Sequence, residues 1–116
     1  SYENFATGYG LTTRAMKWFW DQYLQGDDHD QNPYAVPMRC ENFAGLAPAI
    51  ILTAQYDPLL SDGEQYAGLL HRDGVPVLYR EFKGMIHGFF ANVAATPSSH
   101  LALDFAAQEI ISKTKQ

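Results

Sequence analysis

The sequence predicts an α/β fold built on a parallel pair of strands with flanking helices. Three observations carry this. Residues 48–57, PAIILTAQYD, hold the short unbroken apolar run of a strand buried on both faces. Residues 75–82, VPVLYREF, read as a second strand. Between them lies a helical stretch ending at Gly74, the crossover that parallel neighbours need.

The elements follow in chain order. Residues 12–25, TTRAMKWFWDQYLQ, place Ala15, Met16, Phe19, Trp20, Tyr23 and Leu24 on one broad helical face. Thr12 or Thr13 is the expected N-cap, and Gly26 follows the end. This spacing assigns the MKWFW aromatics to core packing. Residues 26–47 are a long polar connection broken by Pro33 and Pro37. The first strand stops at an Asp-Pro turn. Ser61 and Glu64 then form an expected capping box, and the helix continues through Tyr66, Leu69 and Leu70. Residues 84–91, GMIHGFFA, are expected to be a loop. A last helix spans residues 97–113, with Pro97 at its first position and Leu101, Phe105 and Ile111 near one face.

Composition removes several classes of partner. The chain of 116 residues carries a net charge of −5 and no basic stripe, which argues against nucleic acid and anionic membranes. Apolar residues at 47% and charged residues at 18% supply a core and argue against disorder. No apolar run approaches the ~18 residues of a membrane span. Cys40 stands alone, so no disulfide forms within the chain, and a cytoplasmic location is expected. The acidic run from Asp27 to Asp30 lacks the spacing of a calcium loop and reads as solvated, so no metal site is expected.

The chemistry concentrates at the carboxyl ends of the two strands, where such sheets place their sites. Asp57 ends the first strand and His87 lies just after the second. Parallel neighbours bring both to one rim. A carboxylate facing an imidazole is the support half of a nucleophilic triad: it fixes the tautomer and stabilises the imidazolium, while the other ring nitrogen takes a proton. Gly84 and Gly88 let the intervening chain turn sharply. Spacing alone leaves the plainer readings open, since an Asp-Pro pair is more often only a turn and a histidine among apolar neighbours more often a core residue.

The segments YDPLLSDGEQYA and GVPVLYREFKGMIHGFF resemble the carboxyl-terminal part of the hormone-sensitive-lipase-like esterases, a family of α/β-hydrolases. ENFATGYGLTTRAMKWFWDQYL and NPYAVP resemble its upstream segments, so the likeness covers nearly the whole chain. It implies that Asp57 and His87 are the acid and base of a Ser-Asp-His triad, in the serine–acid–histidine chain order of that fold. It implies a small-molecule ester substrate and no cofactor. Phe89 and Phe90, flanking His87, and Ile86 before it are the expected substrate-binding residues, with one phenylalanine turned into the core.

The departures matter as much. The family's H-G-G-G oxyanion loop and its G-D-S-A-G elbow are absent, and no G-x-S-x-G occurs. Ser1, Ser61, Ser98, Ser99 and Ser112 are the only serines and sit at no strained elbow. The chain lacks a starting Met and is expected to be about the last third of a longer hydrolase, residues 1–116 being the C-terminal segment of one domain. The isolated chain is then expected to be inactive. It should pair with the rest of the fold or associate with itself, because a two-stranded sheet is marginal alone. The alternative is a non-catalytic, receptor-like relative that keeps the fold without the chemistry.

Overall fold

The computed structural model describes residues 1–24 and 31–114. The end of the first predicted helix, Gln25 and Gly26, and the acidic run Asp27 to Asp30 lie outside the described residues. In order come helix α1 (Thr13–Tyr23), a 3-10 turn (Pro37–Arg39), strand β1 (Ala49–Tyr56), helix α2 (Leu60–Arg72), strand β2 (Val77–Ile86), a second 3-10 turn (Phe89–Ala91) and helix α3 (Pro97–Thr114). Strands β1 and β2 pair in parallel, as predicted, with Ala49 opposite Val77 and Ala54 opposite Phe82.

Two small cores flank the pair. Phe43, Leu70 and Val75 pack where α2 and the long connection meet the sheet. Ala54, Phe82, Phe89 and Ala102 form the other, where α3 covers the carboxyl half of the strands. The helix–sheet approach of α2 is close. A Cβ on Gly63 would sit 2.5 Å from the Thr53 methyl, so only glycine lets the helix lie this near β1. Among the described residues no helix is long and apolar enough to cross a membrane.

Four expectations about the elements are corrected. First, β2 does not stop at Phe82 but runs on to Ile86. It does so across a bulge, since Ala54 faces Phe82 while Tyr56 faces Ile86. Gly84, at φ 75°, supplies the left-handed residue there. Second, α2 begins at Leu60 without a side-chain cap, so Ser61 and Glu64 form no capping box. The N-cap is Leu59, two residues before Ser61, and the turn into it is made by Asp57, whose Oδ1 accepts from the Leu59 N–H at 2.8 Å. Ser61 N–H donates instead to the Ser1 hydroxyl at 3.2 Å. Third, the inward face of α3 is not that of Leu101 and Ile111, both exposed. Ser99 and Ala102 are the buried residues, because small side chains let α3 lie close to the second 3-10 turn.

The fourth correction concerns α1. Thr12 caps it as expected, accepting from the Ala15 N–H at 3.1 Å. Only Met16 is buried, however, while Trp18 and Tyr23 are 57% and 66% exposed. The aromatic residues of MKWFW are therefore not core among the described residues, because no described element covers their face. Strand β1 tells the same story. Only Thr53 and Ala54 are buried, and Ile50, Ile51 and Leu52 are half-buried rather than covered on both faces.

Candidate active site

Asp57 is the first residue after β1 and His87 the first after β2. The parallel pair delivers both to one rim, and the side chains meet: His87 Nδ1 lies 2.9 Å from Asp57 Oδ2. With the carboxylate ionised, the Nδ1–H donates to it, so the neutral ring carries its lone pair on Nε2. The second carboxylate oxygen is occupied by the Leu59 N–H. Both oxygens of Asp57 are thus directed, and the side chain is 13% exposed against 37% for His87. Among the described residues no group hydrogen-bonds Nε2, which leaves it open at the rim.

The backbone around the imidazole is held from three sides. The His87 N–H donates to the Tyr9 carbonyl at 3.2 Å. Gly10, at φ 92°, lies so near that a Cβ there would stand 3.0 Å from the His87 carbonyl oxygen. Past the histidine, Gly88 turns the chain and the buried Ser99 hydroxyl donates to the Phe89 carbonyl at 2.6 Å. Before it, the Gly84 N–H donates to Gln55 Oε1 at 2.8 Å. Ser99 is thereby structural, as the sequence implied. Tyr9, Gly10 and Gln55 carried no local signal, because their partners lie far along the chain.

The N-terminal strap, residues 1–12, also packs on the end of β1. Tyr9 stacks on Tyr56, the residue before Asp57, at 5.6 Å between ring centroids, and Phe5 meets both rings edge-on. Tyr2 donates to Asp62 at 2.5 Å, and its phenol is pushed up by burial first and by that carboxylate second.

The three apolar candidates separate. Ile86 and Phe89 line a cleft of about 320 Å³ together with His87, Met85 and Asn92. Phe89 is the inward one of the pair, 8% exposed and packed on Phe82 at 5.2 Å between centroids, so its ring is floor rather than wall. Phe90 does not join this cleft. It lines a different cavity with Ile50, Leu52, Ala106 and Ile110, which Phe89 also borders. Among the described residues no cluster of three or more His, Cys, Asp or Glu side chains stands ready to hold a metal ion.

An acid–imidazole pair at the carboxyl rim of a parallel sheet, with one ring nitrogen open, has the geometry that the acid and base of a nucleophilic triad require. A profile for proteins of the alpha/beta hydrolase fold matches residues 1–91, a span containing both Asp57 and His87. The carboxylic ester hydrolase LipN of Mycobacterium tuberculosis is 42% identical over 86 residues, covering 73% of this chain and 23% of that protein. A thermophilic, thermostable carboxylesterase cloned from a metagenomic library superposes with a TM-score of 0.91 at 34% identity, over 96% of this chain and 38% of the other. The hyperthermophilic esterase of the archaeon Pyrobaculum calidifontis does so with a TM-score of 0.91 at 32% identity, over 97% of this chain and 37% of the other. The chain belongs to the α/β-hydrolase family, in its hormone-sensitive-lipase-like esterase branch. It spans 23% of LipN and 33% of a second curated relative, an alpha/beta hydrolase of Acanthamoeba polyphaga mimivirus.

Proposed function

We propose that this chain is the acid-and-base segment of a serine carboxylic-ester hydrolase, the C-terminal part of one α/β-hydrolase domain whose serine lies elsewhere in the protein. The observation that carries the reading is the 2.9 Å pair of His87 Nδ1 and Asp57 Oδ2 with Nε2 left open. The esterase names of its relatives support the substrate class.

In this mechanism the serine hydroxyl attacks the ester carbonyl as His87 Nε2 takes its proton. Asp57 holds Nδ1–H and stabilises the imidazolium. His87 then protonates the leaving alcohol, and the acyl group remains on the serine. Water attacks that acyl-enzyme with His87 again as base, and the proton returns to the serine as the acid departs. Ile86, above the Phe89 floor, borders the cleft beside the base and is the apolar contact expected for substrate.

The test is His87→Ala in the full-length hydrolase, assayed on a short p-nitrophenyl ester. Turnover should fall by ~10³-fold or more while circular dichroism stays unchanged, since general-base help to serine is lost. A folded variant with near-parental turnover overturns the assignment of His87 as the base, whereas a folded full-length parent with no turnover on such esters overturns the esterase reading and leaves the receptor-like relative in its place. The isolated chain, with no elbow serine, should not hydrolyse the ester, and turnover by it would require another nucleophile.

A further inference from the structure

The geometry points to Gln55 as a positioning residue that sets His87 against Asp57 through the bulge at Gly84. The inference rests on His87 being the base.

The strand register makes the case. From Ala49 opposite Val77 to Ala54 opposite Phe82 the ladder is regular. Then Lys83, Gly84 and Met85 stand against Gln55 alone, and pairing resumes with Tyr56 opposite Ile86. One step further along both strands lies the pair Asp57 and His87. Had the ladder stayed regular, Met85 would face Asp57 and His87 would sit two residues beyond. Two residues of strand are ~6.6 Å. The observed contact is 2.9 Å, so a displacement of that size removes it. The surplus in β2 is therefore what brings the imidazole to its carboxylate.

A surplus of this kind has to be held, because it takes backbone groups out of the ladder. Gly84 adopts φ 75°, and its N–H donates to Gln55 Oε1 at 2.8 Å. The side chain of the bulged-against residue thus replaces the missing ladder acceptor. Nothing lies within 4 Å of a Cβ built on Gly84, so glycine is there for its backbone angle and not for space. Gln55 touches neither His87 nor Asp57 by a side-chain hydrogen bond; it acts through the chain between Gly84 and His87.

The experiment uses the full-length hydrolase with Gln55→Ala, Gln55→Glu and His87→Ala side by side. Misplacing a catalytic group by about 1 Å costs up to ~10²-fold, so Gln55→Ala should lower kcat roughly 10- to 100-fold and leave KM within about two-fold. Gln55→Glu keeps an acceptor oxygen at the same reach and should recover most of kcat. The low-field proton NMR signal of the His87 Nδ1–H should broaden or move in the Ala variant and return in the Glu variant. A Gln55→Ala enzyme with kcat within about two-fold of the parent overturns the inference, as does equal loss in both variants. If Gln55→Ala fails to fold, Gly84→Ala serves instead, since it strains only φ and leaves Gln55 in place. A folded Gly84→Ala enzyme with parental kcat overturns the inference too. Collapse of His87→Ala beside a parental Gln55→Ala refutes the bulge alone, while activity in His87→Ala refutes the base.

Discussion

The two ends of the sheet's surroundings are finished to different degrees. At the rim, Asp57 and His87 are tied by the Leu59, Tyr9 and Phe89 backbones and by Gln55 and Ser99. On the flank, Trp18, Phe19, Trp20 and Tyr23 of α1 face outward, and Ile50 and Leu52 of β1 with Ile110 of α3 line an open apolar cavity. The rim closes on itself within these residues, whereas the flank presents apolar surface with nothing described to cover it. The difference separates what a site needs locally from what a core needs globally. Hydrogen bonds that aim a side chain are made within a few elements, but apolar burial takes whole layers.

That contrast is broken most severely at the acid. Asp57→Asn in the full-length hydrolase keeps the shape but offers Nδ1 the wrong partner, and kcat should fall by up to ~10⁴-fold. Retained turnover in a folded variant would remove Asp57 from the site. Next in size is Phe89→Ala, which empties the core beneath the histidine. It should destabilise by ~3–5 kcal/mol, read from the midpoint of urea unfolding. Trp18→Ala makes the paired comparison. In the isolated chain it should change stability by no more than ~0.5 kcal/mol, because the ring is exposed there, and in the full-length protein by more if that face is covered. Equal small effects in both settings would count against a missing layer over α1.

A fourth change reaches the rim from the N-terminal strap. Gly10→Ala must hold an alanine at φ 92° and 3.0 Å from the His87 carbonyl, a cost of ~1–2 kcal/mol. Its signature is a lowered kcat with little change in KM, and a normal kcat would show that the strap only covers the site. The smallest effect is expected at low pH. The Asp73 carboxyl is held down to about 2 by Arg72 first and by the Phe43 N–H second, against an ordinary 3.8. A depressed carboxyl stabilises the fold above its unfolded pKa and loses that contribution as pH falls through 3.8 toward about 2. Asp73→Asn should therefore flatten the stability curve in that window and leave it unchanged in shape above pH ~5.

Much of the rim was legible in the sequence, and the reason is periodicity. The apolar run of β1, the crossover helix and the parallel pair put Asp57 and the chain after β2 on one rim, and the family resemblance singled out His87 there. The bulge was not legible. KGMI reads as a loop because glycine interrupts it, and only the paired strand reveals that Gly84 sits within a ladder. The start of α2 failed for a related reason: Ser61 and Glu64 have the right spacing for a capping box, but Asp57 turns the chain before Ser61 is reached. On the flank, the helical face of α1 was read correctly and its burial was not. Amphipathic spacing states that a face is apolar and says nothing about which chain segment covers it. The inward face of α3 was not legible because the close approach is made by Ser99 and Ala102, small side chains that apolar periodicity does not mark.

Asp57 has one further consequence, which concerns reach rather than acidity. One oxygen closes the turn into α2 at 2.8 Å and the other meets the imidazole at 2.9 Å. Two tasks are therefore set by a single side-chain length. A glutamate has the same charge and nearly the same proton affinity. Its extra methylene pushes both oxygens outward, so it cannot serve the Leu59 N–H and the ring from the same backbone position. Changing the acid here means reshaping the entry to α2 as well, and the choice of aspartate is made by the turn as much as by the chemistry.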